Sequence, residues 1–265
     1  MSSTQKAWTN GLFFLSTLVV NALGAFGVIN GLSQNEISDK YLTLITPAPS
    51  TFSIWSVIYI LLGISIVIMI IKKDDPYYQA ALNKISLLFI LSSLLNIAWI
   101  VAFSYLQLLL STIFILLFSV ILTLICIRLV EMNDGKHLLL PVSFGLYAGW
   151  LFIASVVNIA ATLVKANWDG FGIEVELLAS GTLIVAIFLV LLVMRKIRNV
   201  IFPLPIAWAY FGIHNFLTAS EGFNGKFPTL EMVTLVGLGV FLVISAYQFY
   251  KNSFALIPRK GNAYR

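Results

Sequence analysis

Eight long apolar runs follow one another along this chain, at 12–29, 52–71, 85–103, 108–127, 138–164, 177–194, 201–217 and 232–250, and none contains Asp, Glu, Lys or Arg. Each is close to the ~20 residues that cross ~30 Å of hydrocarbon at ~1.5 Å per residue. Backbone polar groups inside lipid must be satisfied within their own segment, so runs of this length predict helices. The third and fourth runs are nearly fused. They are divided at 104–107 because the combined run is about twice too long for one crossing, which predicts a very tight hairpin. The expected fold is all-α, a polytopic membrane helix bundle of about eight transmembrane helices.

Composition agrees. The chain is 60% hydrophobic and 10% charged, against roughly 25% charged residues in an ordinary soluble domain. Too little polar surface remains to coat a water-soluble core, and the connectors are too short to hold a separate soluble domain. The single cysteine, Cys126, lies inside an apolar run and reads as a small buried hydrophobe. The net charge of +5 does not point to nucleic acid, because the basic residues fall at the ends of the apolar runs.

Those ends alternate. With eight crossings, one face receives Lys6, then Lys72, Lys73 and Lys84, then Arg128 and Lys136, then Arg195, Lys196 and Arg198, then Lys251, Arg259, Lys260 and Arg265. The other receives only Lys40, Lys165 and Lys226. Lys and Arg resist translocation, so the basic face is expected to be cytoplasmic and to carry both termini. An alternative reading of the first run is a cleaved signal peptide, with Lys6 before it and Ala22 and Ala25 near its end, but the run is long for such a segment.

Two connectors on the sparsely charged face are long. The segment 30–51 holds Ser33, Asn35 and a Pro47-Ala48-Pro49-Ser50 stretch expected to run extended. The segment 165–176 carries Trp168, Asp169, Gly170 and Gly172. Loops of this kind act either as lids or as plain connectors.

Groups for acid, base or metal chemistry are scarce. His214 is the one ionisable group within the runs; a structural histidine bonded to a neighbouring helix outweighs a ligand or base. Glu174, Glu176 and Asp169 form an acidic cluster near the start of the sixth run, and solvated residues at a helix start are the commoner explanation. No G-x-S-x-G, H-E-x-x-H or GKS motif is present. An enzyme acting on a lipid-like substrate through these four residues stays open as an alternative, as does a carrier for an apolar solute, although a non-enzyme is favoured.

The distinctive feature is a set of aromatic and amide residues at helical spacing. Asn96 and Trp99 are three apart, Trp150, Ala154 and Asn158 follow at intervals of four, and Trp55 and Tyr59 are four apart, so each set shares one face of its helix. Asn21 lies within the first run. An asparagine in hydrocarbon needs a partner on another helix or on a ligand. Spacing leaves two readings level: an aromatic pocket with a few directing polar groups, or interface tryptophans with Gly145, Gly149 and Ala154 allowing close helix packing.

At these residues the sequence resembles the tryptophan-rich sensory protein family, TspO, whose animal members are called the translocator protein or peripheral benzodiazepine receptor. The proline-led stretch from Pro47 into Trp55-Ser56-Val57-Ile58-Tyr59, the Leu95-Asn96-Ile97-Ala98-Trp99 segment, and Trp150-Leu151-Phe152-Ile153-Ala154-Ser155-Val156-Val157-Asn158 are similar to that family's second, third and fifth helices. The resemblance covers roughly the first five helices, dividing the chain into a TspO-like bundle at 1–165 and three additional helices with a short basic tail at 166–265. Relatives of this kind bind porphyrins in a pocket beneath the loop between helices one and two. The resemblance therefore implies Trp55, Tyr59, Asn96, Trp99, Trp150, Ala154 and Asn158 as ligand-binding residues, with the asparagines orienting the ligand's polar edge. It implies no required cofactor, a metal-free tetrapyrrole such as protoporphyrin or another small apolar molecule as ligand, the lipid bilayer as surroundings and the bacterial plasma membrane as location. The last three helices, with Pro203, Pro205, Trp208 and Tyr210, either cover a surface that shorter relatives use to form a homodimer or enlarge the pocket.

Overall fold

The computed structural model describes residues 1–258 of the chain, all of its regular structure helical. Arg259, Lys260 and Arg265, counted above with the basic face, lie outside the described residues. Nine α-helices run in order: α1 (Ser3–Ala25), α2 (Gln34–Lys40), α3 (Ile54–Ile71), α4 (Pro76–Ser104), α5 (Leu108–Glu131), α6 (Leu139–Lys165), α7 (Val175–Ile197), α8 (Pro203–Thr218) and α9 (Pro228–Lys251). Seven of them, all but α2 and α8, are long and apolar enough to cross a membrane, α3 together with the 3-10 turn that precedes it.

The seventh apolar run forms the 16-residue α8, about 24 Å at 1.5 Å per residue, short of a full bilayer. Two prolines in its first turn, Pro203 and Pro205, replace N–H groups that would have no helical partner there. The path of the chain nevertheless makes α8 a crossing. Asn252 Nδ2, just past α9, donates to the Arg198 carbonyl at the end of α7, and Glu176 at the start of α7 accepts N–H groups from Thr229 and Leu230 at the start of α9. Helices α7 and α9 therefore run parallel, and α8 returns between their ends.

Contacts between helix ends define two faces. Lys6 Nζ donates to Asn83 Oδ1, the Tyr77 ring stacks on His137 with centroids 4.1 Å apart, and Asn133 Nδ2 donates to the Ile257 and Pro258 carbonyls. These contacts gather the start of α1, the α3–α4, α5–α6 and α7–α8 connections and the end of α9 on one side. On the other, Asn30 Nδ2 donates to the Ser104 carbonyl, Lys165 reaches the Leu106 carbonyl, and the Ala48 N–H donates to the Gly212 carbonyl. The charge alternation read from the sequence thus corresponds to a real pair of faces. The tight α4–α5 hairpin is also present, turning through Leu106 at φ 59°.

Small residues set the closest approaches. A methyl group on Gly149 would collide with the Phe202 carbonyl where α6 meets the start of α8, and one on Gly212 would collide with the Thr51 side chain. Gly237 likewise faces the Tyr210 ring, whereas Gly239 opens onto free space. The segment 30–51 holds the short helix α2. Ser33 opens α2 with a capping box: its hydroxyl accepts from the Glu36 N–H while Glu36 accepts from the Ser33 N–H. Those bonds hold the Glu36 carboxyl below the usual carboxylate range. The Pro47-Ala48-Pro49-Ser50 stretch is not extended throughout, because Pro49 begins a 3-10 turn over Pro49–Ser53 that leads into α3.

Candidate functional site: an aromatic cavity under the first loop

A cavity of about 490 Å³ opens among α1, α3, α4 and α6 beneath α2 and the Pro47 segment. Trp55, Tyr59, Trp99, Trp150, Ala154 and Asn158 line it, together with Asn21 and Gln34, and no charged side chain of the described residues does so. The three tryptophans come from different helices because each helix carries its polar-aromatic stripe on the face turned inward. Trp55 is the hub. It stacks on Tyr59 at 5.2 Å and 19°, meets Trp150 edge-on at 6.1 Å and 88°, and lies tilted against Trp99 at 6.2 Å. These are the offset and edge-to-face arrangements that the ring quadrupole favours.

Asn96 stands outside this lining. It is fully buried, receives a 2.6 Å hydrogen bond from Asn21 Nδ2 and donates to the Tyr147 hydroxyl at 3.1 Å. Its amide is committed to tying α1, α4 and α6 together behind the aromatic wall. Asn158 does line the cavity, yet its polar atoms are occupied. Oδ1 accepts from the Trp99 indole at 3.1 Å and from Ser111 at 3.2 Å, while Nδ2 donates to Thr112 Oγ1 at 2.7 Å. A buried carboxamide takes the partners nearest to it, and for Asn158 those are Ser111, Thr112 and Trp99.

Directing groups exist elsewhere in the wall. Trp150 Nε1 and Gln34 Nε2 are buried donors without a hydrogen-bond partner among the described residues. The Tyr59 hydroxyl, by contrast, has the Asn96 side chain beside it. An unsatisfied buried donor costs roughly 1–3 kcal/mol, and both of these donors belong to side chains of the cavity wall. Gln34 was not legible as a site residue from spacing, although the Ser33-x-x-Glu36 capping box that starts its helix is visible in the sequence.

The other polar candidates lie away from the cavity. His214 Nδ1 sits 3.3 Å from Thr234 Oγ1 on α9, Asp169 accepts from the Phe171 N–H, and Glu176 caps α9. None of these, nor Glu174, lines the hollow. Trp208 and Tyr210 do not enlarge it either. The Trp208 indole donates to the Thr51 carbonyl at 2.9 Å and the Tyr210 hydroxyl to the Leu183 carbonyl, so α8 contributes Ala209 to the wall and braces the turn leading into α3. Cys126 is buried, its thiol directed at the Phe144 carbonyl.

Fold and cavity together define a polytopic helical membrane protein with an uncharged aromatic chamber beneath its first loop. The family model described as TSPO-like protein matches residues 7–247. The chain belongs to that family, and the match runs on through α7 and α8 and into α9. No curated protein and no solved structure matches the chain.

Proposed function

We propose that the protein is a ligand-binding membrane protein of the TspO type whose cavity takes a flat, largely apolar molecule such as a porphyrin. One observation carries the reading: a hollow walled by three indoles, with no charged lining side chain among the described residues, is bounded by Trp150 and Gln34, whose buried donors lack partners. A planar ring gains by leaving water and stacking on indole faces. Acceptor atoms on its edge would satisfy Trp150 Nε1 and Gln34 Nε2. With no cation in the wall, carboxylates on a tetrapyrrole would have to stay at the polar rim near Asn35 and Ser38. The excess of Lys and Arg on the face carrying the start of α1 and the end of α9 supports cytoplasmic termini and a cavity opening on the far side of the bilayer, in a bacterial plasma membrane.

The test is a binding titration of purified protein with protoporphyrin and with its neutral dimethyl ester, followed by the ring's absorbance. Both should bind, the ester at least as tightly. Trp150→Phe should weaken binding about fivefold, the value of one hydrogen bond at ~1 kcal/mol, and Ala154→Phe should abolish it by filling the hollow. Unchanged binding by Ala154→Phe would overturn the assignment.

A further inference from the structure

A second cavity lies at the opposite, basic end, between the last turns of α7 and α9, with a volume of about 420 Å³. Its inner wall is apolar, made by Leu191 and Met194 of α7 and Ile244 of α9. Three basic residues, Arg195, Arg198 and Lys251, line it, the Lys251 ammonium 5.5 Å from the centroid of the exposed Tyr247 ring. At the back, buried Gln248 donates to Asn252 Oδ1 at 2.8 Å, and Asn252 in turn caps the Arg198 carbonyl at 2.9 Å.

Cations in a last helical turn are stabilised by the helix dipole, which accounts for Arg195 and Lys251 singly. It does not account for the hollow between them, nor for the lack of a counter-ion: among the described residues no carboxylate lies within ion-pair distance of either. An oily wall facing the bilayer below Arg195 and Lys251 at the boundary is complementary to one kind of molecule, an anionic amphiphile seated at the interface.

We propose that this cavity binds an anionic phospholipid, its phosphate between Arg195 and Lys251 and an acyl chain along Leu191 and Ile244. The site is independent of the aromatic cavity and of any ligand there. Protein in a neutral detergent, titrated with phosphatidylglycerol, should show a saturable rise in melting temperature. Phosphatidylcholine and inorganic phosphate should give none. Arg195→Gln with Lys251→Gln should melt as the wild type does without lipid, and its apparent affinity for phosphatidylglycerol should fall about thirtyfold, roughly fivefold for each cation lost. Lys72→Gln with Lys73→Gln, on the same face but outside the cavity, should keep the wild-type response. An equal response to phosphatidylcholine, an equal response to inorganic phosphate, or an undiminished response in the Arg195/Lys251 variant would overturn the proposal.

Discussion

Trp99 donates its indole N–H to Asn158 Oδ1 at 3.1 Å, joining α4 to α6 beside the aromatic cavity. Ser111 and Thr112 of α5 complete the same cluster, so one carboxamide fastens three helices. In lipid the apolar side chains of a helix gain little from meeting another helix rather than a lipid tail, and polar contacts of this sort decide which faces meet.

Asn158→Ala removes the acceptor for Trp99 and Ser111 and leaves the indole donor buried without a partner. We expect a loss of about 1–2 kcal/mol, two to three times the ~0.6 kcal/mol average for one interhelical hydrogen bond. Thermal unfolding in detergent measures it.

Gly149 carries the contact between α6 and α8. Because a Cβ there meets the Phe202 backbone carbonyl rather than a movable side chain, Gly149→Ala should cost about 1–3 kcal/mol through forced separation of the helices. Gly239→Ala is the control. That position has nothing within 4 Å, so the substitution should leave stability unchanged or raise it by up to about 1 kcal/mol through helix propensity.

The α5–α6 connection gives a pH dependence. Partial burial would raise the Asp134 carboxyl, but the N–H groups of Lys136 and His137 and the His137 ring at 2.7 Å outweigh it and hold the group below its ordinary value. A depressed carboxylate stabilises the fold above its unfolded pKa of about 3.9, and that contribution disappears as pH falls through the folded value. Acid unfolding followed by circular dichroism should therefore begin at higher pH in Asp134→Ala, with the difference from wild type vanishing once both forms are fully protonated.

Much of this architecture is legible in the sequence because lipid permits so few solutions. Length and charge alternation alone place eight crossings, and the α4–α5 hairpin follows from a length limit rather than from any turn signal. Spacing also places Trp55, Trp99 and Trp150 on the faces that converge. It does not reveal which polar groups are spent on the protein itself. Asn96 and Asn158 read as directing groups, yet their partners, Asn21, Tyr147, Ser111 and Thr112, lie on other helices, and only the packed bundle brings them within reach. The free donors Trp150 Nε1 and Gln34 Nε2 are known by what fails to meet them, which sequence spacing does not record. The short α8 reads as an ordinary crossing until its two prolines are seen to occupy the first turn and its middle, at Trp208 and Gly212, to dock on Thr51.

The central claim is that a ligand occupies the hollow bounded by Trp55, Trp99 and Trp150. The chain has 6 tryptophans, and Trp8, Trp168 and Trp208 lie outside that lining. A protein carrying Trp8→Phe, Trp168→Phe and Trp208→Phe reports from the cavity alone. Titrated with protoporphyrin dimethyl ester, it should show saturable quenching of its tryptophan fluorescence at one ligand per chain, abolished when Ala154→Phe is added. Quenching that is absent in this protein, or that persists with Ala154→Phe, would contradict the account.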